Sequence, residues 1–134
     1  MSELDITTSQ IQGDVSVTVL HLKGHLHGPT EQDLLDRARQ AYEDGAKYLL
    51  LDLSELDVLS SAGLRAIQNI FKLFTPQSDL ESMNVHGDEP YKSPYLKVAC
   101  PNPQIYYIFN IAGFLQNLMV YSSLEEATDS FISE

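Results

Sequence analysis

The chain has 134 residues, 43% of them hydrophobic, a size that buries a core in a single domain (1–134) without disulfides or metal. Its 8 basic and 19 acidic residues give a formal net charge of -11, which repels phosphates and excludes a self-sufficient nucleic-acid or anionic-membrane surface. Cys100 is alone, so no internal disulfide can form, and the opening MSELDITTSQ lacks the basic and apolar regions of a secretion signal. No apolar run approaches the ~20 residues of a membrane helix, so a soluble, cytoplasmic chain is expected, with a protein or small-molecule partner.

In chain order, Leu4 to Ile11 reads as a weak strand, and Val15 to Lys23 as its partner, because Val15, Val17 and Val19 alternate with Ser16 and Thr18. Pro29 or Thr30 opens a helix, with Thr30 and Asp33 in capping-box spacing; Leu34, Leu35, Ala38, Ala41 and Tyr42 share its inner face, and Gly45 ends it. Tyr48 to Leu53 is apolar at nearly every position, as in a central parallel strand covered on both sides. The next helix carries Leu64, Ile67, Ile70, Phe71 and Phe74 on one face and Arg65, Gln68, Asn69 and Lys72 on the other.

The stretch Thr75 to Pro94 has three prolines, a glycine and four acids, and reads as a long surface loop, either a tolerated insertion or a contact device. A strand from Tyr95 to Cys100 follows. Asn102 and Pro103 then cap a helix bearing Ile105, Ile108, Phe109 and Ala112, closed by Gly113. A last strand, Leu118 to Tyr121, leads through a Ser122–Glu125 capping box into a short helix with Leu124, Ala127 and Phe131 inward. Two opening strands followed by alternating helices and strands predict an α/β fold, a mixed, mostly parallel sheet of about five strands with about four helices.

The junction DVLSSAGLRAI, residues 57–67, places two hydroxyls, an alanine and a glycine where a buried strand turns into a helix. Either Ser60 or Ser61 has the position to cap the helix, and Ala62 and Gly63 let its start lie close to the sheet. The same free amides and helix dipole favour an anion, so a phosphate on a serine there is held at little conformational cost. It adds about -1.5 to -2 charges, enough to expel a partner packed on the uncharged helix start.

These residues carry a resemblance. VTVLHLKGHL, YLLLDLSELDVLSSAGLRAI and NPQIYYIFNIAGFLQNLMVYSSLEEA, together nearly the whole chain, resemble the STAS domain family of bacterial anti-anti-sigma factors (anti-sigma factor antagonists). The resemblance implies that the hydroxyl two positions before the glycine, Ser61, is phosphorylated, and that Leu59, Ser60, Ala62, Gly63, Arg65 and His27 surround or contact the partner. Family members often carry an acid immediately before the target serine and another in the turn after the second strand; these positions are Ser60 and His27 here. The implied function is a non-enzymatic switch by partner exchange, without a cofactor. The unmodified protein holds an anti-sigma factor that is also an ATP-dependent serine kinase; phosphorylation releases it, and a metal-dependent serine phosphatase resets the system. The same domain also serves as an accessory subunit of membrane transporters or a scaffold of signalling assemblies, and that is the alternative reading.

Other constellations are weaker. His25 and His27 in GHLHG would share one side of an extended chain, the spacing of a metal pair, but neither His86 nor any acid completes a recognisable ligand set, and no metal site is expected. Cys100 with a histidine could supply a nucleophile and base, yet a cysteine ending an apolar strand reads as buried and inert. The scattered Gly13, Gly24 and Gly28 form no phosphate cradle, and IYYIF fits a packed helix face.

Overall fold

The structure, a computed structural model, describes residues 3–12, 15–78, 94–112 and 118–132. Five strands form one sheet in sequential order: β1 (Leu4–Gln12), β2 (Ser16–Leu26), β3 (Tyr48–Leu59), β4 (Leu96–Ala99) and β5 (Met119–Tyr121). β1 pairs antiparallel with β2, and the other three pairings are parallel. Helices α1 (Glu31–Glu43), α2 (Ser61–Phe74) and α3 (Pro103–Ile111) make the three crossovers, and α4 (Leu124–Ile132) follows the last strand. Parallel strands that advance steadily across a sheet keep right-handed crossovers on one face. Accordingly Leu34, Ile67, Ile70, Ile105 and Phe109 from the three crossover helices share one core with Leu20, Leu22, Leu49, Leu51, Leu53 and Val98 of the sheet. α4 covers the opposite face, where Ala127 and Phe131 meet Val17, Val19, Leu50 and Ala99.

Two-sided covering explains why β3 is apolar at successive positions, but β3 runs beyond the expected Leu53 to Leu59. Pairing with β2 continues there while only Leu56 and Leu59 point inward, so the signal of a doubly buried strand fades before the strand ends. β2 likewise extends to Leu26, and it is buried continuously from Val17 to Leu20 because a strand lies on either side of it and helices above and below. Its buried Thr18 exchanges hydrogen bonds with the Gln10 amide, 3.0 Å from Nε2 and 3.3 Å from Oε1.

Two expected caps differ. Thr30 closes a short 3-10 turn, Gly28–Thr30, and its hydroxyl donates to the His25 carbonyl at 2.7 Å and accepts from the His27 amide at 3.1 Å. The hydroxyl therefore binds α1 to the end of β2, and no side-chain cap reaches Asp33. At α4 the capping oxygen belongs to Ser123, which accepts from the Glu126 amide at 3.1 Å, while Ser122 donates to the Glu126 carboxylate at 3.2 Å. A one-residue slip among adjacent serines is invisible in the sequence because both precede a glutamate at capping distance. The Asn102 cap forms as expected, accepting from Gln104 and Ile105 amides, but Ala112 is exposed and the expected stop at Gly113 lies outside the described residues. Tyr42 is also 47% exposed, its ring meeting Phe74 edge to face at 5.3 Å instead of entering the core.

One cation fastens α4. Lys97, 3% exposed, donates to Ser130 Oγ at 3.0 Å and lies 4.2 Å from the Phe131 ring centroid. A buried ammonium without such partners would carry a heavy desolvation cost, so the contact fixes where the helix sits.

Gly24 closes the other side of the sheet. It holds φ +111°, and a Cβ there would stand 2.3 Å from the Glu3 carbonyl oxygen, which accepts from the His25 amide at 2.9 Å. Gly24→Ala is expected to lower stability by about 2–3 kcal/mol through strain and a backbone collision, read as a lower urea midpoint.

Candidate functional site

The carboxyl ends of β2 and β3 lie side by side, Leu26 opposite Leu59, and the chain turns directly from Leu59 through Ser60 into α2. Ser60 engages its amide, hydroxyl and carbonyl in this turn. Its amide donates to the Leu26 carbonyl at 3.1 Å, its hydroxyl accepts from the Gly63 amide at 3.3 Å, and its carbonyl accepts the first helical bond from Leu64 at 3.0 Å. It is the helix cap, in extended conformation at φ -98°, ψ 175°. Gly63 is dictated by the same contact: a Cβ would come within 2.7 Å of the Leu26 carbonyl and 2.8 Å of the Leu59 side chain.

Ser61 then occupies the first helical position, exposed, and its hydroxyl has no hydrogen-bond partner among the described residues. The two serines left equivalent by sequence are thus distinguished by geometry. One is consumed by the cap, and the other faces solvent at the positive end of a 14-residue helix.

Around it, Ala62 and His27 are half-buried and Arg65 is exposed, while Leu59 and Gly63 are buried and present no side-chain surface. Those two support the surface from beneath, because Leu59 is the last inward residue of β3 and Gly63 lies under Leu26. His27 Nε2 is 2.6 Å from the Glu3 carboxylate, so an acid does reach this turn, supplied from the start of the chain through the imidazole. Arg65 Nη2 stands 3.5 Å from Glu31 Oε2 across the α1–α2 contact. Val58, 41% exposed two residues before the cap, is an apolar surface residue that the strand pattern did not single out. Its exposure follows from β3 continuing past its doubly buried half.

A second polar constellation has no counterpart in the sequence motifs. On the α4-facing side of the sheet but beyond the helix, Ser9 Oγ lies 2.8 Å from His21 Nε2, and His21 Nδ1 lies 2.7 Å from Asp52 Oδ2. Asp52 Oδ1 in turn accepts from the Ser54 amide at 3.1 Å. The connectivity is that of a nucleophile, base and acid, but the serine is exposed on an open strand face. Such a site requires preorganised donors for a developing oxyanion, and the side-chain array by itself does not supply them. Three strands contribute, so only the pairing of His21 with Asp52 and Thr7 would have revealed it.

His25 and His27 approach ring to ring at 5.8 Å, but among the described residues no group of three His, Cys, Asp or Glu side chains is arranged to hold a metal; His86 lies outside them. Cys100 is buried, its thiol pushed up from the ordinary range mainly by desolvation, the opposite of an activated nucleophile.

The STAS domain model matches residues 8–78, more than half of the chain, from within β1 through the whole of α2. The chain belongs to the STAS domain family. As a STAS domain it is 26% identical over 129 residues to BtrV of Bordetella bronchiseptica, which bears the name anti-sigma factor antagonist, covering 96% of this chain and 95% of that one. Its fold matches an anti-sigma factor antagonist from Mycobacterium paratuberculosis with a TM-score of 0.71 at 18% identity, covering 97% and 96% of the two chains. It also matches the phosphorylated form of the Bacillus cell fate determinant SpoIIAA, with a TM-score of 0.61 at 13% identity over 93% and 97%. The five-stranded sheet with the helices packed on it among the described residues is therefore a SpoIIAA-like STAS fold.

Removing the cap tests the assignment of the two serines. Ser60→Ala should cost about 1 kcal/mol in urea denaturation, whereas Ser61→Ala should change stability by less than about 0.5 kcal/mol.

Proposed function

We propose that this STAS domain is a non-catalytic anti-sigma factor antagonist, controlled by phosphorylation of Ser61. Unmodified, it binds an anti-sigma factor that is also a serine kinase and so frees a sigma factor. The kinase transfers the γ-phosphoryl group of ATP to Ser61 Oγ, the hydroxyl losing its proton, and the complex dissociates. A metal-dependent serine phosphatase hydrolyses the ester and restores binding.

The observation that carries this reading is the division of labour between the serines: Ser61 is exposed and unengaged, while Ser60 is committed to the cap. A phosphate on Ser61 requires no refolding of the helix start and complements its dipole. It nevertheless changes the surface by about -1.5 to -2 charges at the point where a partner would have to desolvate it. The names borne by BtrV and the Mycobacterium structure, and the phosphorylated SpoIIAA match, support the same assignment. Ala62, Val58, Arg65 and His27 form the proposed contact surface, with Leu59 and Gly63 beneath it.

Incubation with the cognate kinase and ATP should place one phosphate on Ser61 by site-mapping mass spectrometry; an unmodified Ser61 under these conditions overturns the reading. Ser61→Asp should abolish anti-sigma factor binding, Ser61→Ala should bind and resist phosphorylation, and Ser60→Ala should still be modified. At the rim of the same surface, Val58→Glu should weaken the complex at least about tenfold in calorimetric titration, because it puts a charge into an apolar contact.

A further inference from the structure

Arg65 stands one helical turn beyond Ser61, at the i+4 position of α2. Side chains on a helix lean toward its amino end, so a long residue at i+4 reaches back over residue i. In the unmodified chain the guanidinium reaches sideways instead, 3.5 Å from the Glu31 carboxylate in the first turn of α1. The two side chains are 64% and 31% exposed, and a solvent-screened pair of that length holds only loosely. The other nearby cationic candidate, His27, is engaged with Glu3 at 2.6 Å.

We infer that Arg65 is a transferable cation: phosphorylation of Ser61 draws its guanidinium from Glu31 to the phosphate and leaves Glu31 as an uncompensated carboxylate on the contact surface. This rests on Ser61 being the phosphorylated residue. A phosphate offers three acceptor oxygens and up to two negative charges, and a guanidinium meets it through two parallel N–H donors, a stronger arrangement than a single contact to an exposed carboxylate. The transfer alters the surface at two points at once. Charge at Ser61 is partly neutralised, and the ion pair joining α1 to α2 is lost. The negative change that a partner meets is therefore spread from the start of α2 to the start of α1, and Glu31 becomes a determinant of the modified state.

The test uses the full chain with phosphoserine installed at position 61 by genetic-code expansion, so that no kinase is required. In a phosphorus NMR titration, the phosphate of the otherwise wild-type chain should ionise about 0.3–0.5 pH units lower than in Arg65→Gln, since the guanidinium favours the dianion. Glu31→Gln, which releases Arg65 in both states, should keep the low value. His27 and Glu3 are present in all these chains, so their influence is removed in the comparison. The Arg65 Nε resonance should also move between the unmodified and phosphorylated wild-type chains, a reading that needs no substitution and survives if Arg65→Gln fails to fold. A phosphate that titrates within about 0.1 unit of wild type in Arg65→Gln, or an unmoved Arg65 resonance, overturns the inference. Binding of the phosphorylated chain to the anti-sigma factor is measured separately. Retained binding alongside a normal NMR shift would sink the proposed function and leave the transfer standing, and lost binding without a shift would do the reverse.

Discussion

The Leu26 carbonyl is the joint on which the Ser61 end of the sheet depends. It accepts the Ser60 amide at 3.1 Å and lies 2.7 Å from the point where any side chain at Gly63 would begin. The ends of two parallel strands and the start of a helix therefore converge on one oxygen atom. That convergence fixes Ser60 in an extended cap and turns the next residue outward. Exposure of Ser61 is thus a packing result: it follows from a glycine beneath the strand end and does not require a special conformation of the serine itself.

Most of the architecture could be read from periodicity because burial here is strongly asymmetric. Helix α2 buries Ala66, Ile67, Ile70, Phe71 and Phe74 and leaves Arg65, Gln68, Asn69 and Lys72 exposed, so its face is unambiguous at helical spacing. The central strand is legible only where both its faces are covered, and its second half is not, because Glu55, Asp57 and Val58 look outward. Caps were legible when one candidate stood alone, as with Asn102, and slipped when equivalent residues were adjacent, as with Ser122 and Ser123. The choice between Ser60 and Ser61 comes from family resemblance; the hydrogen bonds show which of the two is the cap and which is exposed. Glu3 at His27 and Glu31 at Arg65 were illegible, since both pairs join segments distant along the chain.

The electrostatics around Ser61 contrast with those of the chain as a whole. Although the formal charge is -11, the start of α2 has Arg65 and His27 beside it, each held by a carboxylate. A new anion at Ser61 enters a local network that can redistribute, while the general excess of acids makes any uncompensated charge felt by an approaching partner. The Ser9–His21–Asp52 array, also polar and partly exposed, is of another kind. Its groups belong to adjacent strands already in register, and Asp52 is only 8% exposed, so these bonds satisfy a carboxylate that would otherwise be costly where α4 ceases to cover the sheet.

The parallel sheet gives the molecule two unlike rims. Ser61 lies at the rim where β3 ends, whereas Thr75 and Tyr95, which flank the segment containing residues 79–93, gather with Tyr42 and Lys47 at the rim where β3 begins. Insertions and deletions between α2 and β4 therefore enter the scaffold a full strand length from Ser61. Natural variation can lengthen, shorten or recharge that connection without redesigning the surface around Ser61, which leaves the two rims free to diverge under separate selection.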